Sequence, residues 1–300
     1  MLFHPSDRFR HVVFADTING AARAVDHGRW ESALCVREPS ETALTADEES
    51  FVTWLFRQRR LNAEAYREET LSRRLAACLR TLRASSVQQA RLILHRHPEL
   101  VGPALSAMLI GVTSLFRDPP VFDCLRKQVL PRLLAETTGR LRVWSVGCSD
   151  GAEIFSLAML LDRQGALERC ELLGTDCRAD AIAIAQQGLF DAEALRTLPT
   201  DMQLAYFANK RGRWQLCDRL RRQVRWRVAD VTQTIEPGQW DVILCRNVAM
   251  YMRSSVIAVL WERLQWALGP GGVLVLGKAE RPIGQMRLNT LAPCIYRRSY

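Results

Sequence analysis

The sequence has no long apolar run, and none approaches the roughly 18 to 20 residues that a membrane-spanning helix requires. Its first residues, MLFHPSDRFRHVVF, lack the charged region, apolar stretch and cleavage site of a signal peptide. These absences predict a cytoplasmic protein that does not insert into a membrane. With 300 residues, 48% of them hydrophobic, the chain can bury one large core or two modest ones.

Histidines and paired cysteines are missing from most of the chain. All five histidines fall within the first 97 residues, so a site further along would have no histidine base. The nine cysteines are scattered, odd in number and never form a CxxC pair. This pattern predicts reduced thiols, with neither a disulfide framework nor a metal site.

Lysine is equally scarce, with only Lys127, Lys210 and Lys278 in the chain. The net charge of +9 is therefore carried almost wholly by arginine. A basic surface attracts an acidic partner. Charge alone does not distinguish between nucleic acid, an anionic membrane surface and an acidic protein.

Hydrophobic periodicity divides the first part of the chain. Residues 1–45 are weakly periodic and predict an N-terminal extension of unassigned role. Residues 46–118 carry apolar side chains at three- and four-residue spacing and predict a helical domain. On its second helix, a rotation of about 100° per residue places Arg73, Arg80 and Arg83 away from a leucine stripe. This arginine face is either simply solvated or binds an acidic partner.

Beyond Pro120 the pattern alternates between strands and helices, in a predicted domain of residues 119–300. Such alternation indicates an α/β fold, a parallel sheet covered on both faces. The segment of about 189–222 is too long for a simple connection and predicts an inserted subdomain with a small antiparallel sheet. The predicted strands are Leu141–Val146, Glu171–Thr175, Val224–Val228, Trp240–Cys245 and Val273–Leu276, and the predicted helices are near 152–162, 180–187 and 254–268.

Acidic residues follow three of the predicted strands. The first strand leads into GCSDGAE, Gly147 to Glu153, a glycine turn that would let a ligand approach a helix N-terminus. Its spacing fits neither a dinucleotide fingerprint nor a phosphate loop, and its acids disfavour phosphate. Glu153 suits an ammonium group, Asp176 the hydroxyls of a ribose, and Asp230 an adenine amino group. Each aspartate alone is more often a helix cap, but three together match one nucleoside-amino-acid cofactor.

Several motifs, in order along about residues 51–298, resemble those of the CheR family of chemotaxis receptor methyltransferases. They are TSLFRD (113–118), VWSVGCSDGAEIFSLAMLL (143–161), GTD (174–176), LCRNVAMYM (244–252) and LGPGGVLVLGKAE (268–280). The resemblance implies the class I, Rossmann-like methyltransferase fold with a helical N-terminal domain and a small inserted β subdomain. It also implies S-adenosylmethionine as cofactor, S-adenosylhomocysteine as product, and methyl transfer to glutamates of the chemoreceptor helical bundle.

The same resemblance implies roles for individual residues. Arg117 and Tyr251 would be catalytic. The resemblance also implies a receptor bundle with acidic side chains on its surface, against which the arginine face of Arg73, Arg80 and Arg83 could lie. Cofactor contacts would come from Gly147, Ser149, Gly151, Glu153, Asp176, Asp230, Arg246 and Asn247.

This sequence departs from the family pattern at a few positions. Asp150, Ala152, Ile154 and Phe155 replace the usual threonine, glutamate, proline and tyrosine, and Asp230 replaces an asparagine.

Two other functions remain open, the first because of these departures and the second because of the basic surface. One is a catalytically weakened regulatory protein that binds S-adenosylmethionine without transferring its methyl group. The other is a nucleic-acid methyltransferase, which ranks last because Arg246, Asn247 and Val248 stand where an N/D-P-P-Y/F motif would be expected. We therefore expect a protein substrate, no nucleic acid, and a monomer.

Overall fold

The computed structural model describes residues 43–111, 113–284 and 286–299. The predicted N-terminal extension, residues 1–45, lies almost wholly outside the described residues. The boundaries predicted for the helical and catalytic domains stay predictions.

Four amphipathic helices form the first described part of the chain. Thr45 starts the first of them with a reciprocal cap, because its hydroxyl accepts from the backbone N–H of Glu48 and the Glu48 carboxylate accepts from the N–H of Thr45. Each helix turns its apolar face inward, and Phe51, Leu55 and Leu75 are among the fully buried side chains. The helices are α1 (Ala46–Arg57), α2 (Glu68–Leu82), α3 (Val87–Arg96) and α4 (Val101–Met108).

A seven-stranded sheet forms the second part, in the order β6-β2-β1-β7-β8-β10-β9. The strands of this sheet are β1 (Leu141–Val146), β2 (Cys170–Asp176), β6 (Val224–Val228), β7 (Trp240–Cys245), β8 (Leu268–Leu276), β9 (Leu288–Ala292) and β10 (Ile295–Arg298). The first five are parallel, as the alternating pattern predicted, whereas β10 and β9 form an antiparallel hairpin at one edge that was not predicted.

Helices cover both faces of this sheet, so its central strands are buried. They are α5 (Pro119–Cys124), α6 (Leu130–Glu136), α7 (Ala152–Arg163), α8 (Ala179–Gln187) and α12 (Ser254–Ala267), with a π-helical turn, Leu125–Val129, between α5 and α6. The architecture is that of a class I S-adenosylmethionine methyltransferase sheet, as the resemblance implied.

The segment between α8 and β6 contains a separate antiparallel sheet, as predicted for the insertion. Its strands pair in the order β3-β5-β4, with a tight turn at Arg211 and Gly212, both at positive φ. The elements are β3 (Leu189–Phe190), α9 (Ala192–Leu195), α10 (Thr200–Tyr206), β4 (Phe207–Lys210), β5 (Arg213–Leu216) and α11 (Asp218–Gln223).

The helical part and the sheet meet through backbone hydrogen bonds. Tyr66, just before α2, forms an isolated β-bridge with Met252, which follows β7. The backbone N–H of Arg67 donates to the carbonyl of Tyr251 (2.9 Å), and that of Arg253 donates to the carbonyl of Ala65 (3.0 Å). The two parts therefore share a wall at the carboxyl edge of the sheet.

Candidate active site

A cleft of about 920 Å³, part of it open to solvent, lies where the carboxyl ends of the parallel strands face the helical part. Parallel strands bring their carboxyl ends to one edge, so residues distant in sequence meet there. Nine of the residues predicted from the sequence line this cleft: Arg117, Gly147, Ser149, Glu153, Asp176, Asp230, Arg246, Asn247 and Tyr251.

The glycine turn after β1 is shaped by close packing. Gly147 has φ +60°, and a Cβ there would lie 2.5 Å from Val248 Cγ2. Gly151, with φ +85°, begins α7, and a Cβ there would lie 2.6 Å from the Trp226 ring. Gly151 packs against Trp226 and is not among the residues that line the cleft, and its cofactor contact stays a prediction.

A buried ion network occupies the floor of the cleft beside α7. The Arg246 guanidinium, whose side chain is fully buried, donates to Glu153 and to Asp118 Oδ2 (2.7 Å). The Lys278 ammonium lies 2.6 Å from Asp118 Oδ1. Arg246 thus fixes two carboxylates and presents little free charge to the cleft.

Glu153 is a buried carboxyl whose pKa differs from its ordinary value. Burial raises the pKa of Glu153 to about 7, although the charges of Arg246 and Arg117 oppose this rise. At neutral pH the group is therefore close to the midpoint of its titration. A cation placed beside it would favour the ionised form.

Asp176, the last residue of β2, is surrounded by donors. Its Oδ1 accepts from the backbone N–H (2.9 Å) and from Nε (3.1 Å) of Arg178. Its Oδ2 accepts from the backbone N–H of Ser149 (2.9 Å) and from Arg178 Nη2 (3.3 Å). The sequence predicted the position of Asp176 but not its pairing with Arg178.

Asp230, two residues after β6, organises its own loop. Its Oδ1 accepts from the backbone N–H (2.9 Å) and hydroxyl (2.8 Å) of Thr232, and its Oδ2 accepts from Gln233 Nε2 (2.9 Å). These bonds form an Asx turn, the capping role considered from the sequence. Asp230 also lines the cleft, so both features coexist.

Two buried oxygens in the cleft lining have no hydrogen-bond partner within the described part of the chain, namely Thr113 Oγ1 and Asn247 Oδ1. Thr113 was quoted in a motif but was not predicted as a site residue. Buried polar atoms in native proteins usually have partners, so two such oxygens on residues that line a cleft are candidates to bind a ligand there. Both residues lie outside regular helices and strands, and only the tertiary geometry shows that these oxygens have no partner among the described residues.

Glu280, after β8, supports the loop that carries two predicted site residues, and the sequence analysis did not assign it a role. Its buried carboxylate accepts from the backbone N–H groups of Asn247 (2.8 Å), Ala249 (2.8 Å), Met250 (3.3 Å) and Gly277 (2.8 Å). These bonds hold Asn247 at φ +58° and cap the 3₁₀ turn Ala249–Tyr251. Glu280 therefore sets the conformation of the loop that carries Asn247 and Tyr251.

The helical part contributes an aromatic wall. Tyr66 and Tyr251 both line the cleft, and their backbones lie on the two sides of the shared bridge. Burial raises the pKa of Tyr66 well above its ordinary value, and the nearby groups Cys177, Asp230 and Asp176 reinforce the rise.

Arg73, Arg80 and Arg83 do not join the cleft. Arg73 and Arg80 are exposed on α2, and Arg83 is exposed at its C-cap with φ +52°. In the described ranges no helix is long and apolar enough to cross a membrane, and no group of three histidine, cysteine or acidic side chains could hold a metal ion.

The polar groups of the cleft define what it can hold. Glu153 and two oxygens without a partner in the described residues offer acceptors for an ammonium group and for hydroxyls. The carboxylates of Asp176 and Asp230 already accept from protein donors, which a ligand would have to displace or share. They are unfavourable to phosphate. A cofactor with an amino-acid end and a nucleoside end fits this lining.

Comparisons with known proteins agree with that chemistry. The family profile described as "CheR methyltransferase, SAM binding domain" matches residues 111–292. A chemotaxis protein methyltransferase of Listeria monocytogenes is 29% identical over 221 residues, which is 74% of this chain and 84% of the relative.

Two further relatives are similarly close. A probable chemotaxis protein methyltransferase of Rhizobium etli is 34% identical and aligns with 61% of this chain and 72% of its own length. Chemotaxis protein methyltransferase 1 of Pseudomonas aeruginosa is 33% identical over 59% of this chain and 68% of its own length. Since the profile covers well over half of the sequence, the chain belongs to the CheR family of S-adenosylmethionine-dependent chemotaxis methyltransferases.

Proposed function

We propose that this protein transfers the methyl group of S-adenosylmethionine to glutamate side chains of bacterial chemoreceptors, forming methyl esters in chemosensory adaptation in the cytoplasm. The observation that carries the proposal is the cleft itself, in a chain of this family. It has acceptors for an ammonium and a nucleoside, and beside them an arginine and a phenol, Arg117 and Tyr251.

The residues that would hold the cofactor divide between its two ends. Glu153, Thr113 and Asn247 would bind the amino-acid end, and Asp176 and Asp230 would accept hydrogen bonds from the ribose and the adenine. When bound, S-adenosylmethionine supplies an activated methyl group on a sulfonium centre. Gly147 and Ser149 would allow the ligand close approach to the backbone of the turn.

The absence of a histidine base agrees with a carboxylate substrate. A glutamate side chain has an ordinary pKa of about 4.3, so it reaches the cleft already ionised at neutral pH. The protein then has to align the nucleophile and exclude water, with no proton to remove. Aspartates or hydroxyls positioned as bases are not required.

Arg117 and Tyr251 are the proposed catalytic residues. Arg117 lies in the cleft near enough to Glu153 for its charge to lower the pKa of that group. A guanidinium at this point can guide an incoming carboxylate, and the Tyr251 phenol can hydrogen-bond beside the reacting oxygen. The Glu280 carboxylate, which fixes the turn of Tyr251, would keep that phenol in place.

The arginine face of α2 is the proposed receptor contact. Arg73, Arg80 and Arg83 are exposed, and a receptor bundle with acidic side chains would place carboxylates opposite them. Such exposed contacts govern encounter and salt dependence more than the chemical step.

Incubation of the purified protein with methyl-labelled cofactor and receptor-containing membranes tests the function directly. We expect label on the receptor that alkali releases as methanol, the behaviour of a methyl ester. Arg117→Ala should lower turnover with cofactor affinity nearly unchanged, whereas Arg140→Ala, exposed before β1 at the opposite edge of the sheet, should match the wild type. Cofactor binding without any labelled receptor would instead support the regulatory alternative.

Salt dependence tests the receptor contact. Replacing Arg73, Arg80 and Arg83 together with glutamine should raise the apparent KM for receptor and flatten its dependence on ionic strength. A matched variant with glutamine at the exposed residues Arg140, Arg169 and Arg225 removes the same charge from other surfaces. If both triple variants behave alike, α2 is only a solvated face and the receptor is recognised elsewhere.

A further inference from the structure

The carboxylate of Asp176 has no acceptor position left for a ligand. An ionised carboxylate offers about four lone-pair sites, and Asp176 already receives four hydrogen bonds. Three of these come from Arg178 and one from the backbone of Ser149. A ribose can bond to Asp176 only if some of these donors leave.

The Arg178 side chain is the donor that can leave. The backbone N–H groups of Ser149 and Arg178 are fixed by the chain, whereas Nε and Nη2 of Arg178 depend on side-chain rotation. The guanidinium lines the cleft, and Nη2 also donates to Ser149 Oγ (3.2 Å), which in turn donates to the Gly111 carbonyl (2.7 Å). Gly111 carries no side chain, and the guanidinium fills the space that a Cβ there would occupy.

We propose that Arg178 is a specificity-determining residue of the ribose subsite, because its guanidinium must release Asp176 before ribose hydroxyls can bind there. This inference rests on the proposed placement of the cofactor. Displacement exchanges two charge-assisted hydrogen bonds for two to hydroxyls, so the ribose contributes less affinity than an unoccupied Asp176 would give.

The charge of Arg178 adds a second effect. S-adenosylmethionine carries a sulfonium, an ammonium and a carboxylate, for a net charge of +1, whereas S-adenosylhomocysteine lacks the sulfonium and is neutral overall. A guanidinium close to the ribose repels the charged cofactor more than the neutral product. Arg178 therefore shifts the preference of the site toward the product.

Calorimetry on the full chain tests the role of Arg178 with two probes, S-adenosylhomocysteine and its 2′-deoxy analogue. Arg178→Met, neutral and of similar length, should bind S-adenosylhomocysteine on the order of tenfold more tightly. It should also discriminate more strongly against the deoxy analogue, since Asp176 is then free to read the hydroxyl. Arg140→Met, far from the cleft, should equal the wild type.

Arg178→Lys provides a second test that keeps the charge. A lysine cannot hold both carboxylate oxygens with one planar fork, so this variant should bind more tightly than the wild type but less tightly than Arg178→Met. If Arg178→Met fails to fold, Arg178→Lys alone tests the proposal, by the ratio of its affinities for S-adenosylhomocysteine and the 2′-deoxy analogue.

A purely structural role for Arg178 predicts a different result. Both variants would then bind both ligands more weakly, with the ratio of their affinities unchanged, and that outcome would overturn the proposal. Because the readout is cofactor binding, it does not depend on methylation of a receptor. Normal binding data with no receptor methylation would contradict the proposed function and leave the assignment of Arg178 standing.

Discussion

The two ends of the cleft differ in how their polar atoms are satisfied. At one end, which we call the open end, Thr113 Oγ1 and Asn247 Oδ1 have no partner among the described residues, and Glu153, which is paired with Arg246, has a raised pKa. At the other, the closed end, Asp176 is already bonded to Ser149 and Arg178, and Asp230 is bonded to donors of its own loop. A ligand therefore gains new hydrogen bonds at the open end and exchanges existing ones at the closed end.

This difference separates two roles that a binding residue can have. Residues of the closed end stabilise the unliganded fold, so replacing them should first lower the free energy of unfolding. Residues of the open end carry oxygens without a partner in the described residues, or a carboxyl whose pKa is raised by burial, so their replacement should first weaken binding. Substitutions at the two ends should therefore give opposite patterns.

The largest expected effect is on the stability of the closed end. Asp176→Ala removes the acceptor of four hydrogen bonds and leaves the nearly buried Arg178 without its ion-pair partner. We expect the free energy of unfolding to fall by roughly 3 to 5 kcal/mol, the range for breaking one side of a buried pair. Urea denaturation without ligand measures it.

The matched control for that experiment is Asp201→Ala, which removes an exposed carboxylate paired with Arg163. Exposed pairs contribute little, so its denaturation midpoint should remain near that of the wild type. Equal midpoints for Asp176→Ala and the wild type would show that the closed end is not a structural element, and the contrast between the two ends would be lost.

A smaller effect concerns the pH dependence of the open end. The folded-state pKa of Glu153, about 7, lies above its ordinary value of 4.5, so the folded protein holds a proton longer than the unfolded chain. Its contribution to stability is therefore present below pH 4.5 and is lost as the pH rises through about 7. Cofactor binding depends on pH in the opposite direction, because the ammonium group needs the ionised carboxylate.

We expect cofactor affinity to fall by up to about tenfold for each pH unit below about 7 and to level off above it. Glu153→Gln should remove this slope while binding more weakly at high pH, so the difference between the two proteins isolates Glu153 from the titration of the ligand. Calorimetry in two buffers of different ionisation enthalpy would show net proton release only for the wild type. A parallel slope in both proteins would assign the dependence to another group.

The smallest expected effect comes from removing one hydroxyl at each end of the cleft. Thr113→Val removes a hydroxyl that has no partner in the described part of the chain, so stability should not fall. Cofactor affinity should fall by about 1 kcal/mol, the value of one hydrogen bond. Thr232→Val, whose hydroxyl donates to Asp230 (2.8 Å), should lose about 1 kcal/mol of stability instead.

Thermal denaturation and calorimetry on this threonine pair give both quantities. If Thr113→Val lowered the melting temperature and left affinity intact, its hydroxyl would have a structural partner and the open end would be misassigned.

The sequence could predict where the site lies, but not how its groups are bonded. The bounds of β1, β6 and β7 follow from apolar runs and turns, which are local signals, and parallel pairing then places Gly147, Asp176 and Asp230 at one edge. Those elements and the antiparallel insertion are confirmed. The fold class could be predicted because it depends on the order of elements and on few exact distances.

The bonding pattern could not be predicted because it depends on side-chain geometry. Whether Arg178 turns back to Asp176 or out to solvent depends on the space beside Gly111, 67 positions away in the chain. The four donors of Glu280 come from two loops that converge only after the sheet forms. Gly151 was predicted from its position in the glycine turn, but the need for a glycine there comes from close packing against Trp226, which the sequence does not show.

The hydrogen bond from the Arg67 backbone to the Tyr251 carbonyl has a mechanical consequence. Arg67 is the N-cap of α2, so the helix that displays Arg73 and Arg80 is fastened at its first turn to the backbone of Tyr251. The Arg67 Nε also donates to the Met252 carbonyl (2.8 Å), which makes this attachment two-pronged. The start of α2 and the backbone of Tyr251 and Met252 therefore form one connected unit, so a displacement of the first turn of this helix would also displace the backbone that carries Tyr251.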